Sequence, residues 1–310
     1  MKLLIRNYEV NDFEEVIRLW NISLPGDSIS PLRFQTKVLA DSNFDPEGCQ
    51  VAEINGNFVA FMLGIVRKEP LEGIGLQKDL GWITIFFVHP EYRRQGIAEE
   101  LITRLMNYFE NNDCKTIYVS NYVPNYFFPG VDPVLYGEAL NFLKSYGFKE
   151  TNRVMAMGNE LEKVTIPVDN LTKKIGELKS RGVIVKNFEK KYTYSLLKFL
   201  REEFPGAWAE TIVDKIKAGT EDEIIVAIKN GEVLGYCQFE GSHFGPFGVS
   251  KKLRGEGTGS LLFWKAVEWM KKNGHRYIWL AWTGGDAARF YNEKGNLHQI
   301  REHVILKKDL

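Results

Sequence analysis

Val249-Ser250-Lys251-Lys252-Leu253-Arg254-Gly255-Glu256-Gly257-Thr258-Gly259-Ser260-Leu261-Leu262 is the stretch whose reading decides the fold. An apolar run ending in Phe247-Gly248-Val249 precedes it, and apolar residues at helical spacing follow to about Asn273. The order is strand, glycine-rich turn, helix. Glycines at 255, 257 and 259 let backbone N–H groups approach a ligand without Cβ interference. The helix start behind them adds unpaired N–H donors and a partial positive charge, a combination suited to pyrophosphate or another anion. An ordinary strand-to-helix turn uses the same residues. Recurrence separates the two readings. Phe87-Val88-His89-Pro90-Glu91-Tyr92-Arg93-Arg94-Gln95-Gly96-Ile97-Ala98-Glu99-Glu100-Leu101 has the same order: Val, a short polar stretch, Arg, Gly-x-small, amphipathic helix.

The repetition extends outward. Val183 to Glu189 matches Leu3 to Glu9, Pro205-Gly206 matches Pro25-Gly26, and Asn230-Gly231 matches Asn55-Gly56. Ala287 to Gly295 matches Ala139 to Gly147. Matches in one order, with differences confined to loops, predict a duplicated domain. The expected boundaries are 1–163, a connector with a short helix at 164–181, and 182–310. A period of about 150–180 residues excludes solenoids and propellers, whose units run about 20–50. Within the first half the pattern predicts strands at 2–5, 50–54, 57–66, 82–88, 115–120 and 153–161. Asn55-Gly56 is the hairpin turn of the second and third. Ala98, Leu101, Ile102, Leu105, Met106 and Phe109 mark the buried face of the helix after the first turn.

The chain has 310 residues, 44% hydrophobic and 26% charged, as in ordinary globular proteins. A formal net charge of zero gives no electrostatic argument for nucleic acid or an acidic membrane surface, and neither is expected as a partner. Cys49, Cys114 and Cys237 lack C-x-x-C spacing, which argues against a disulfide framework or a cysteine zinc site and fits a reducing compartment. Charge comes too early after Met1 for a signal-peptide core, and no apolar run approaches the ~20 residues of a membrane span. The expected location is cytoplasmic. His89, His275, His298 and His303 are not spaced as metal ligands, and no metal is expected.

Three nucleotide motifs compete for the turn. A Walker A loop requires G-x-x-x-x-G-K-[ST], which neither turn has. A dinucleotide fingerprint requires G-x-G-x-x-G, and Gly257-Thr258-Gly259-Ser260-Leu261-Leu262 fails at its last position. Arg254-Gly255-Glu256-Gly257-Thr258-Gly259 instead resembles the R/Q-x-x-G-x-G/A acyl-CoA signature of the GNAT acetyltransferases, and Arg93-Arg94-Gln95-Gly96-Ile97-Ala98 is similar to it. Arg289-Phe290-Tyr291-Asn292-Glu293-Lys294-Gly295 resembles the family's FY-x-x-x-GF segment, with Asn296 where Phe is usual and Gly284 in place of a common Asn. Two such domains in one chain look like the arrangement in mycothiol synthase and its relatives.

The resemblance implies an α/β (α+β) chain: two tandem GNAT folds, each a mixed, mostly antiparallel sheet flanked by helices. It implies acetyl-CoA as co-substrate, its pyrophosphate on N–H groups from about Gly255 to Ser260 or from about Arg94 to Glu99. Backbone near Val249 or Val88 would bond the pantetheine and polarise the thioester. The implied reaction is direct transfer to a primary amine with both substrates held together, the acceptor being a small molecule or a peptide. Tyr291 stands at the family's tyrosine position as proton donor to the leaving thiolate, while Leu143 occupies the matching site in the first half. His243, opening the strand before the second turn, is the candidate base, with Glu240 beside it. The second half is thus expected to be catalytic and the first degenerate or supporting, the chain a monomer with its two domains packed together. The loop Tyr122 to Pro133 is expected to act as a lid or docking element. Two alternatives remain open: a non-catalytic acyl-CoA sensor, or activity in the first half. A dinucleotide-dependent oxidoreductase is a weaker third.

Overall fold

The computed structural model describes residues 2–310, and they form two compact units, considered separately. Unit 1 contains residues up to Pro70, Gly75–Val154 and Glu302–Leu310; unit 2 contains Leu71–Ile74 and Met155–Arg301.

In unit 1 the chain runs β1 (Leu3–Asn7), α1 (Phe13–Ser23), α2 (Pro31–Phe34), β2 (Cys49–Ile54), β3 (Asn57–Val66), β4 (Leu80–Val88), α3 (Ile97–Asn111), β5 (Thr116–Val119) and α4 (Gly137–Ser145). Strands β1 to β4 pair antiparallel in succession, and β4 pairs β5 in parallel. The hairpin turn falls at Asn55-Gly56, whose φ values of 51° and 81° are the left-handed pair such a turn requires. One core, under α1, contains Val16, Leu19, Trp20, Phe61 and Phe87. The other, under α3, contains Leu101, Ile102, Leu105, Met106 and Phe109. The predicted helix face is therefore the buried one, except that Ile97 rather than Ala98 is fully covered.

Unit 2 repeats the plan. β6 (Lys149–Glu160) and α5 (Val168–Ser180) are followed by β7 (Val183–Asn187), α6 (Thr193–Glu203) and α7 (Trp208–Ala218). Then come β8 (Ile224–Lys229), β9 (Glu232–Glu240), β10 (His243–Val249), α8 (Thr258–Lys272), β11 (Tyr277–Thr283), α9 (Gly285–Gly295) and β12 (His298–Asp309). Strands β7 to β10 pair antiparallel and β10 meets β11 in parallel.

The compact units do not coincide with the repeat boundaries near 163 and 181, because the last strands change unit. β6 crosses into unit 2 after Val154, and its residues 155–160 pair with β11. β12 crosses into unit 1 from Glu302, and Leu306–Asp309 pair with β5. Each half thus ends on the strand that completes the other half's sheet. The expected connector also belongs to unit 2, where Val164 and Leu178 are buried with Val183 and Met270.

The aromatic loop departs from its expected role as lid or docking element. Tyr122 and Phe127 are buried in the α1-side core of unit 1. The Tyr122 hydroxyl donates to Asp41 (3.1 Å) and accepts from Asn43 (2.8 Å), Arg67 lies 5.1 Å over its ring, and Phe127 packs edge-on against Trp20 at 4.8 Å. A buried phenol with satisfied hydrogen bonds is a core element, and the loop serves unit 1 from within.

Candidate active site

In both units a parallel strand pair opens. β4 pairs with β5 only from Leu80 to Ile83, then continues to Val88 while still paired with β3. β10 pairs with β11 only at His243, opposite Trp279, then continues to Val249 beside β9. Backbone groups along the free stretch alternate in direction. His89 N–H donates to Val59 (2.8 Å) and Ser250 N–H to Leu234 (2.8 Å), both back toward the antiparallel neighbour. Alternate residues Val88 and Phe86, like Val249 and Phe247, therefore turn their backbone groups into the gap.

A signature arginine closes each strand in the same way. Arg93 Nε donates to the Val88 carbonyl at 3.1 Å, and Arg254 Nε to the Val249 carbonyl at 3.2 Å. The glycine at the N-cap of the next helix is left-handed in both, φ 83° at Gly96 and 88° at Gly257. A side chain rarely adopts that conformation, and it lifts the first N–H groups of the helix toward the turn. The two predicted cradles, Arg93-Arg94-Gln95-Gly96-Ile97-Ala98 and Arg254-Gly255-Glu256-Gly257-Thr258-Gly259-Ser260, share one backbone plan.

Their surroundings differ. At Gly96 a Cβ would meet nothing within 4 Å, and Arg93, Arg94 and Gln95 are exposed, with Arg94 paired to Glu138. At Gly257 a Cβ would lie 2.8 Å from Cδ and 3.0 Å from Cε of Lys174, on α5. At Gly259 it would lie 3.1 Å from the Phe247 ring. Arg181 approaches Glu256 at 3.7 Å, and the Thr258 hydroxyl is buried without a hydrogen-bond partner.

The structure separates Tyr291 from His243, which lies at the closed end of the second strand pair. Tyr291, on α9, is 7% exposed and packs against Phe244 and Phe247 of β10, with ring centroids 5.9 and 6.3 Å away. Burial raises its pKa well above the ordinary tyrosine value, and the nearby Cys237 thiol adds to the rise, so the phenol keeps its proton through the neutral range. His243 sits where β10 and β11 still pair, its ring 4.5 Å from that of Trp279. Glu240 pairs with His243 across the β9–β10 turn and is exposed.

Two features escaped sequence reasoning. In unit 1, Tyr136 is partly buried and packs against both cores. Its hydroxyl donates to Asp27 at 2.5 Å, in the loop after α1. The repeat spacing pairs Tyr136 with Gly284 and Asp27 with Ala207, so the second half lacks both groups, a difference that was readable in the repeat itself. The second feature is Lys174, which ordinary connector composition conceals. Among the described residues, no group of three or more His, Cys, Asp or Glu is arranged to hold a metal ion, and no helix is long and apolar enough to cross a membrane.

Comparison with known proteins agrees with this geometry. The model of the Acetyltransferase (GNAT) family matches residues 13–126 and 193–295. An acetyltransferase of Yersinia pestis (strain Pestoides F) is 35% identical over 102 residues, 33% of this chain and 63% of the relative, so the chain spans under two thirds of that protein's length. Several solved structures superpose on 99% of the chain, and two of them serve for comparison. One is a GCN5-related glucosamine N-acetyltransferase region of a fungal multi-domain β-N-acetylglucosaminidase, with TM-score 0.81, 18% identity and 38% of that chain covered. The other is a tandem GNAT protein of the clavulanic acid pathway, with TM-score 0.66, 15% identity and 98% covered. At these identities the likeness concerns the fold.

Proposed function

Since the chain belongs to the GNAT acetyltransferase family, we propose that it transfers an acetyl group from acetyl-CoA to a primary amine, of a small molecule or a peptide, by direct attack with both substrates bound. The observation that carries this is a parallel strand pair opening beside a left-handed glycine at a helix N-terminus, present in each unit. Acetyl-CoA supplies the activated acyl group. N–H groups from Gly255 to Ser260 would hold its pyrophosphate, and gap-facing groups of Phe247 and Val249 would bond the pantetheine arm and the thioester oxygen. The equivalent groups in unit 1 are Arg94 to Glu99 with Phe86 and Val88. The new bond joins the amine nitrogen to the acyl carbon while the carbon–sulfur bond breaks. Tyr291 gives its proton to the sulfur, His243 takes the proton that the amine loses, and exchange with water returns both side chains to their starting forms. Burial makes both Tyr291 and a leaving thiolate more basic, which keeps their proton affinities nearer than the phenol's shift alone suggests.

A second reading places activity in unit 1. Tyr136 favours it, a partly buried phenol packed against both cores of unit 1, in the half where Leu143 occupies the family's tyrosine position. Thiol release from acetyl-CoA across a panel of primary amines, measured for Gly96→Glu and Gly257→Glu separately, assigns the activity. The half whose variant loses turnover is the catalytic one, and binding of acetyl-CoA without turnover would leave only the sensor reading. Three buried, unpaired cysteines suit a reducing, cytoplasmic setting.

A further inference from the structure

The two turns share a backbone but not a cover. At the first, nothing stands over Gly96. At the second, the alkyl stem of Lys174 lies across Gly257, and its ammonium is held by Glu177 at 2.5 Å. Arg181, just beyond α5, faces Glu256 at 3.7 Å. These contacts place α5 against the turn expected to take a pyrophosphate. The helix is lightly anchored. Leu178 is its one fully buried residue, while Val168 and Ile175 are 66% and 44% exposed. A groove of 320 Å³, lined among others by Ile175, Lys179, Leu261 and Lys265, separates part of α5 from α8. With Leu171 only partly buried on the same core, the helix is held less firmly than one that buries a full apolar face.

We propose that α5 gates the second turn through Lys174: acetyl-CoA enters the first turn freely and reaches the second only when the Lys174 stem leaves Gly257, by swinging aside or with the helix. This rests on acetyl-CoA as the ligand of the turns. Opening the second site breaks the Lys174–Gly257 packing, so ligand affinity there is lower by the equilibrium constant for opening. The first turn has no such step. The obstruction is the stem and not the charge, because Cδ and Cε are the atoms on Gly257 while the ammonium is turned to Glu177.

The test is isothermal titration of the full chain with acetyl-CoA. Wild type is expected to show two unequal sites, with Gly96→Glu removing the tighter and Gly257→Glu the weaker. With Gly96→Glu isolating the second site, Lys174→Ala should tighten it at least threefold, whereas Lys174→Met, which keeps a stem of similar length, should leave it as in wild type. Weaker binding in both Lys174 variants would overturn the gate and make the ammonium a phosphate ligand. Equal affinities at the two turns, or no change with Lys174→Ala, would also overturn it. No binding at either turn defeats the acetyl-CoA reading itself and is distinct from two equal sites.

Discussion

Replacing Tyr291 by Phe removes one oxygen and leaves the ring. The ring contacts, at 5.9 Å to Phe244, 6.3 Å to Phe247, 6.2 Å to Phe263 and 5.4 Å to Phe290, survive the change. Stability should therefore stay within about 1 kcal/mol of wild type. Activity should not. A positioned general acid contributes about 10²- to 10⁴-fold. Burial makes this phenol a weaker acid than an ordinary tyrosine, which puts the expected loss near the bottom of that range, about 10²-fold, or about 2.7 kcal/mol of barrier. The ring packing is kept and the turn's backbone N–H groups are untouched, so the Kd for acetyl-CoA should not move. Because the folded-state pKa is raised, the protonated form persists above pH 10, and the alkaline limb of kcat that reports it should lie above pH 10 and vanish in the variant. The assay is thiol release from acetyl-CoA with an amine that wild type accepts, as a function of pH. Turnover within twofold of wild type, with an unchanged pH profile, would remove Tyr291 from the chemistry and turn attention to Tyr136.

Tyr136→Phe, assayed with Gly257→Glu closing the second turn, should abolish whatever turnover the first half supports; unchanged turnover there would show that Tyr136 only ties α4 to the loop after α1. Gly96→Ala should cost about 1–2 kcal/mol in urea unfolding, the ordinary penalty of a left-handed alanine, because its Cβ meets nothing. Gly257→Ala should cost slightly more, since the Lys174 carbons that its Cβ meets belong to a flexible side chain that can shift, and Lys174→Ala should cancel the excess; equal costs without that substitution would show that the Lys174 stem does not press on the turn. Cys49 and Cys237 are fully buried, and desolvation first of all raises both pKa values above the ordinary 9.0. Their contribution is present below about pH 9 and lost as pH rises toward the folded-state values, so unfolding at pH 10 under reducing conditions should be easier than at pH 8 by about 3 kcal/mol from these two thiols together. A urea midpoint unchanged between the two pH values would show that the thiols ionise in place.

Much of the fold was legible because the relevant signals are local. Asn55-Gly56 and Asn230-Gly231 demand left-handed residues and have them. The helix face at Leu101, Ile102, Leu105 and Met106 follows from spacing alone. The exchange of β6 and β12 was not legible, since a strand's sequence shows which face it buries and not which neighbour it pairs with. The aromatic loop misled for a related reason. Tyr122 and Phe127 have the composition of a surface patch, and it takes their burial, with the Tyr122 hydroxyl donating to Asp41 and accepting from Asn43, to identify the loop as interior. At the site, the turns were readable from glycine spacing. The Lys174–Gly257 contact was not, because it joins residues far apart in sequence.

The repeat shows how the halves have diverged. Where the first has Leu143 the second has Tyr291, and where the first has Tyr136 and Asp27 the second has Gly284 and Ala207. Neither half holds both phenols, so neither is a reduced copy of the other. The turns add a second asymmetry, since the half with Tyr291 carries the covered cradle and the half with Tyr136 the open one. If catalysis lay in the second half alone, a permanently covered cradle there would oppose it, and the Lys174 stem must leave Gly257 for acetyl-CoA to enter. If it lay in the first half alone, Tyr291 would be free to drift toward phenylalanine, which keeps the ring packing without burying a hydroxyl. An ordered division, with a ligand held readily at the first turn and chemistry at the second once α5 opens, gives a use to both the cover and the tyrosine.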